Sequence, residues 1–196
     1  MTAILLPEIK RTVLQKLKGL DTRLTYHSAF HTLDVLEQAE HIATAEGLEG
    51  TEEALLLKVA ALYHDTGFLR AYNGHEKMSC TIFLEDADRF GFTQEQKDTI
   101  VDLIMMTQIP QRPETLLEKI ICDADLDYLG RKDFAELAEK LHEEFLNYQV
   151  VANNSEWDAM QLKFLSTHHY HTKSSQSKRG LVKQLNLANL IYTEPD

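Results

Sequence analysis

Five short stretches of this 196-residue sequence gather residues that can do chemistry. In "LYHDTGF", residues 62–68, His64 and Asp65 stand side by side at the inner end of a run that reads as a buried helix, and Gly67 looks like a helix stop. Two ionisable groups in an apolar setting are costly unless something pairs with them. "TYHSAFHTLDVL" supplies His27 and His31, four residues apart. A helix starting near Ser28 puts His31 on its first turn, on the side of Val35 and Ile42. "IICDADLDYLG" places Asp123, Asp125 and Asp127 just beyond an apolar run, and acids so close repel one another unless a cation stands nearby. Two imidazoles and two carboxylates drawn from three helices make an N,N,O,O set. That set suits Mn, Fe, Co, Ni or Zn better than Ca. With open positions it binds a phosphate oxygen and acidifies water.

The other two stretches are "YNGHEKMS", with His75 and Glu76 at an expected helix start, and "FLSTHHYHTKSSQSKRG". The second carries His168, His169, His171, Lys173, Lys178 and Arg179. Cations beside a metal can hold substrate phosphates, which makes Lys173, Lys178 and Arg179 the candidate substrate-binding residues. Ser174, Ser175 and Ser177 read either as phosphate donors or as helix-cap chemistry.

The elements that must position these groups all read as helices. Apolar residues recur at helical spacing over 4–20, 28–46, about 51–64, 75–90, 93–106, from after Pro113 into "ICDADLDYLG" (121–130), 132–151, 155–168 and 176–192. Thr51 and Thr93 sit where N-caps belong, and Gly47 ends the second helix. No strand, repeat or linker-like stretch stands out. The expectation is therefore one all-α domain over 1–196, a bundle of about nine helices, with a motif core at about 26–130 and C-terminal helices 131–196 packed on it.

Composition narrows the partners. With 8 glycines and 4 prolines, the chain is poor in turn formers, which argues against a β-sandwich. A net charge of −11 makes the surface a poor footprint for long nucleic acids and anionic membranes. Every long apolar run is interrupted by charge, as at Lys58 and Asp102, so no membrane span is expected. The opening "MTAILLPEIK" does not read as a signal peptide. Cys80 and Cys122, far apart in apolar contexts, read as reduced buried thiols of a cytoplasmic protein.

The order His31, then His64-Asp65, then Asp125, with "YHSAFHTLDV" upstream and "DADLDYLG" downstream, resembles the HD superfamily of metal-dependent phosphohydrolases. The resemblance covers about residues 26–130. It implies a helical bundle with the metal between helices and makes His31, His64, Asp65 and Asp125 the metal ligands. Asp125 is chosen over Asp123 because the family's last aspartate sits in an Asp-x-Leu-Asp context, matched by "ADLD" here. In the related cyclic-nucleotide phosphodiesterases the first histidine of a Tyr-His-x-x-x-His motif is a general acid, a role that falls to His27. In two-metal members a histidine near position 75 and another some thirty residues on join the second metal. This chain has Thr107 and Gln108 in the latter region. One divalent metal is therefore expected, drawn from Mn, Fe, Co, Ni, Mg or Zn. His75 or Glu76 then contacts substrate or the attacking water, and Asp65 helps activate that water.

The activity so implied is hydrolysis of a phosphate ester or phosphoanhydride of a nucleotide or other small phosphorylated metabolite. Two other readings stand beside it: a di-iron oxygenase of the HD type, and a non-catalytic nucleotide-binding regulatory module. Self-association is left open.

Overall fold

The computed structural model describes residues 5–192, and every regular element among them is helical. Nine α-helices follow one another: α1 (Leu5–Leu17), α2 (Ala29–Ala45), α3 (Glu52–Tyr63), α4 (His75–Ala87), α5 (Gln94–Met106), α6 (Leu116–Asp125), α7 (Phe134–Asn147), α8 (Asn154–Thr167) and α9 (Lys173–Tyr192). Single 3-10 turns occupy Thr66–Leu69, Asp88–Phe90 and Asp127–Gly130. Ile4, the expected start of the first helix, lies outside the described residues, as do residues 193–196. Among the described residues no helix is long and apolar enough to cross a membrane.

Side-chain caps explain most of the helix starts. The Ser28 hydroxyl accepts from the His31 amide, and Thr51 accepts from Ala54. Thr93 with Gln96 and Thr115 with Glu118 form reciprocal capping boxes for α5 and α6. Several boundaries differ from the sequence reading, three of them with an evident local cause. The first helix ends at Leu17 rather than Leu20, with the Gly19 amide bonded back to Lys16. Helix α7 stops at Asn147 rather than 151, because Gln149 takes a left-handed φ of 56° and the Val150 amide turns back to Phe145 O. Helix α9 starts three residues early, because Thr172 caps it, its hydroxyl accepting from the Ser175 amide.

Gly67 is not a left-handed helix stop. It lies in the 3-10 turn after α3, where a Cβ would stand 1.8 Å from His75 O and 2.7 Å from Ser79 N. Glycine is needed there because α4 presses directly on the turn. The Gly67 amide donates to Ser79 Oγ at 2.8 Å, and that hydroxyl donates to His64 O at 2.5 Å. The turn carrying His64 and Asp65 is thus pinned to α4 through one serine.

Two apolar cores result. The first joins α1 through α6, and α3 runs through its middle, with Leu57, Val59, Ala60, Ala61, Leu62 and Tyr63 all fully buried. A helix apolar all round is one that belongs inside. The second core gathers Tyr26, the Leu126–Leu129 segment, α7 and α8, with Trp157 and Leu165 buried in it. Helix α9 lies over the 127–130 turn and against α8 and α2. Gly130 permits that contact, since a Cβ there would meet Arg179 Cβ at 2.6 Å.

Candidate metal centre and cleft

Three helices deliver the central groups. His31 comes from the first turn of α2, His64 and Asp65 from the end of α3, and Asp125 from the last residue of α6. His31, His64 and Asp65 are buried. Their donor atoms converge: His31 Nε2 to Asp65 Oδ2 is 3.3 Å, His64 Nε2 to Asp65 Oδ2 is 3.1 Å, and the two Nε2 atoms face each other at 3.4 Å. Asp125 Oδ1 lies 3.4 Å from His31 Nε2 and 3.6 Å from His64 Nε2.

These spacings suit a bound cation. Around an ion with bonds of about 2.1 Å, neighbouring tetrahedral donors stand roughly 3.4 Å apart. Asp65 Oδ2 is buried without a hydrogen-bond partner among the described residues. His64 Nδ1 points at Ala61 O, 2.8 Å away, which places its proton there and turns the Nε2 lone pair toward the cluster. His31, His64 and Asp65 form the cluster among the described residues that can hold a metal ion.

Protonation behaviour reports the same demand for positive charge. Burial alone would lower the His31 pKa, but the facing carboxylates of Asp125 and Asp65 outweigh it and push it up to about 10. His64 is raised for a similar reason, burial being overcome by Asp65. Burial would raise Asp65, yet the imidazoles of His64 and His27 hold it well below the usual carboxylate range.

Above the cluster stand two further imidazoles. His75, the first residue of α4, aims Nε2 at Asp65 Oδ1 (3.4 Å) while its Nδ1 faces Tyr72 O (3.3 Å). Phe68 lies against both rings, its centroid 3.9 Å from that of His75 and 4.3 Å from that of His27. His27 Nδ1 makes a short contact with Glu144 Oε1, and the backbone amides of Tyr26 and His27 both donate to Glu144 Oε2 at 3.0 Å. Glu76 is buried, with Oε1 3.8 Å from His75 Nε2. His27, Asp65, His75, Glu76 and Asp125 all line one cleft of about 420 Å³, with Thr107 and Gln108 also in its wall. The oxygenase reading asks for a further imidazole in that region, and the chain supplies Thr107 instead.

The model of the HD domain family matches residues 29–128, just over half of the 196. The chain belongs to the HD domain family. Searches of curated proteins and of solved structures gave no match. Membership puts the HD domain in a metal-dependent, hydrolase-type superfamily whose members bind divalent metals.

The HD domain treats its three neighbouring aspartates very differently. Asp125 faces the imidazoles, and its Oδ2 accepts from Gln111 Nε2 at 3.3 Å. Asp123 is fully buried, and its carboxylate accepts from the His171 and Thr172 amides, both at 2.8 Å, and from the Thr172 hydroxyl at 2.7 Å. It anchors the start of α9. Asp127 binds Arg179 Nε at 2.8 Å.

That last contact corrects an expectation. Lys173, Lys178 and Arg179 do not line the cleft. Arg179 pairs with Asp127 and donates to Gln38 Oε1 at 3.3 Å, holding α9 against α2, while Lys173 and Lys178 are exposed on α9. Ser174 donates to Glu46 Oε1 at 2.7 Å, so it is cap and docking chemistry.

Sequence reasoning missed Glu144, Tyr72, Phe68 and Trp157. A signal for Glu144 exists: it follows Leu137 and Leu141 by seven and three residues, so an acid interrupts the apolar stripe of α7. Phe68 and Trp157 read as ordinary core, and nothing in their spacing marks them.

Proposed function

We propose that this HD domain is a metal-dependent phosphohydrolase that cleaves a phosphate ester or phosphoanhydride of a small phosphorylated molecule. The carrying observation is the convergence of His31 Nε2, His64 Nε2 and Asp65 Oδ2 at 3.1–3.4 Å, with Asp125 Oδ1 3.4–3.6 Å from the two imidazoles, and with Asp65 and Asp125 lining a cleft that also contains His27 and His75.

In this reading His31, His64, Asp65 and Asp125 hold one divalent cation, which polarises a phosphoryl oxygen and acidifies water when bound. Asp65 uses its two oxygens separately. Oδ2 faces the imidazoles of the cluster, while Oδ1 faces His75 and is the acceptor for the proton lost by the attacking water. As the water oxygen bonds to phosphorus, the bond from phosphorus to the leaving oxygen breaks, and that oxygen needs a proton. His27 supplies it from Nε2, because Glu144 holds Nδ1 and the two flanking amides. His75, braced by Tyr72 O and stacked on Phe68, keeps Asp65 Oδ1 oriented and carries the proton onward. Phe68, in contact with both imidazoles, buttresses them where their centroids stand 6.1 Å apart.

The test is phosphate release from a panel of phosphorylated metabolites, with and without chelator and with Mn, Co, Ni, Fe, Mg or Zn added back. Metal-dependent release is expected. Metal binding with no release from any compound, together with tight nucleotide binding, overturns the reading in favour of a regulatory module. Oxygen consumption with two irons per chain overturns it in favour of an oxygenase.

A further inference from the structure

The cleft that holds the cluster has two unlike ends. At one end stand Asp65, Glu76 and Asp125 with His27 and His75. The other end runs between α7 and α8 and is walled by Leu141, Phe145, Trp157, Met160, Phe164 and Leu165. Among the described residues lining the whole cleft there is no lysine and no arginine. The volume of about 420 Å³ lies within the roughly 300–1,000 Å³ usual for small-molecule sites, far more than a phosphate alone requires.

These facts constrain the ligand from both sides. A polyphosphate brings several negative charges, and each needs a fixed cation or donor to replace its water. The lining offers acids, imidazoles and the cluster, which provide for one phosphoryl group and no more. The arm between α7 and α8 offers aromatic rings and aliphatic chains. It leaves the donors and acceptors of a nucleobase edge with few partners, since Gln161 and the Trp157 indole N–H are the polar groups of that arm. An apolar group entering the arm sheds water without losing any hydrogen bond.

Resting on the hydrolase reading, we infer that the substrate is a phosphomonoester whose leaving group is an uncharged apolar chain or ring, which lies in the α7–α8 arm while its single phosphoryl group meets the cluster. The reaction is R–O–PO₃ plus water to R–OH plus inorganic phosphate: the water oxygen bonds to phosphorus, the P–OR bond breaks, and the proton ends on RO. The apolar alcohol departs through the arm and the phosphate from the acidic end.

Two measurements on the full chain at fixed free Mn test this. The first is kcat/KM for n-alkyl phosphates from ethyl to octyl, beside AMP, ADP and ATP. The expected result is a rise of about two- to fourfold per methylene until the arm is full, with ADP and ATP at least about tenfold poorer than octyl phosphate. The second uses the fluorescence of Trp157, the single tryptophan of the chain and part of the arm. Octyl phosphate is expected to change its emission saturably, and ethyl phosphate to leave it unchanged. Met160→Lys places a cation in the arm at a side chain that is 39% exposed, so folding is spared. It is expected to lower kcat/KM for octyl phosphate about tenfold, mostly through KM, and so to flatten the alkyl series.

A flat alkyl series, or nucleotides as the best substrates, overturns the inference while leaving the hydrolase reading in place. Absence of phosphate release from every compound overturns the hydrolase reading. In that case the fluorescence titration alone decides the arm: saturable binding weakened by Met160→Lys supports it, and no change with octyl phosphate overturns it.

Discussion

The floor and the wall of the cleft are built on different terms. The floor, from α2, α3 and α6, consists of imidazoles and carboxylates pressed into an apolar core, and each is costly to bury unless a cation or a proton answers it. The wall, from α7 and α8, consists of Leu141, Phe145, Trp157 and Phe164, whose burial is favourable wherever it occurs. A residue that is expensive to bury advertises a function, and one that is cheap to bury does not. The family match ends at 128, near the last floor residue, and the wall lies beyond it.

Four outcomes break or sharpen this contrast. The largest concerns the floor. Asp65→Ala should lower metal-dependent hydrolysis by at least about 10³-fold and abolish metal retention while most helix content survives. Metal analysis and circular dichroism check it, and retained activity would remove Asp65 from the proposed site.

The next separates Asp123 from Asp125. Asp123→Asn should cost about 1–3 kcal/mol of stability, because the His171 and Thr172 donors lose a charged acceptor, and should leave metal stoichiometry unchanged. Asp125→Asn should do the opposite, losing metal with little effect on the melting temperature of the stripped protein. An exchange of those two results would reverse the assignment.

Glu144 crosses the boundary, since it lies on α7 but holds a floor-side imidazole. Glu144→Gln should reduce kcat about 10–100-fold with KM and metal content unchanged, the scale expected for a group that orients another. A loss confined to metal content would make Glu144 a purely structural support.

The smallest effect lies in the outer layer. His168, packed between Phe164 and Tyr170 with neither ring nitrogen paired among the described residues, is pushed down to about 3 by burial and then by Lys183. Its folded pKa is below the unfolded value, so its contribution to stability is complete above about pH 6.5 and is lost as pH falls toward 3. The loss amounts to about 1.4 kcal/mol per pH unit across that window. Denaturant melts at pH 5 and 7 should show it, and His168→Leu should flatten the difference.

Particular residues show how far the sequence carried. Capping at Thr51 and Thr93 could be read directly, because a hydroxyl one residue before an apolar period has few other roles. Gly67 was visible, yet its reason was not, since the approach of α4 that forbids a Cβ is a long-range fact. The basic cluster of α9 misled. Charge type was legible, but Arg179 is bound to Asp127, some fifty positions away in the chain, rather than turned to the cleft.

By itself, then, the sequence determined the all-helical class, most helix starts, and the identity of the polar groups that drive the site. Local hydrogen bonding and hydrophobic period settle helices, the penalty for burying charge draws attention to His64 and Asp65, and the resemblance to the HD superfamily adds His31 and Asp125. Only the tertiary structure decided that Asp123 turns to the start of α9 and Asp127 to Arg179, that Glu144 holds His27, and that an apolar arm opens beside the cluster. Each of these depends on where helices distant in sequence come to rest against one another, and a residue's type and immediate neighbours carry no record of that.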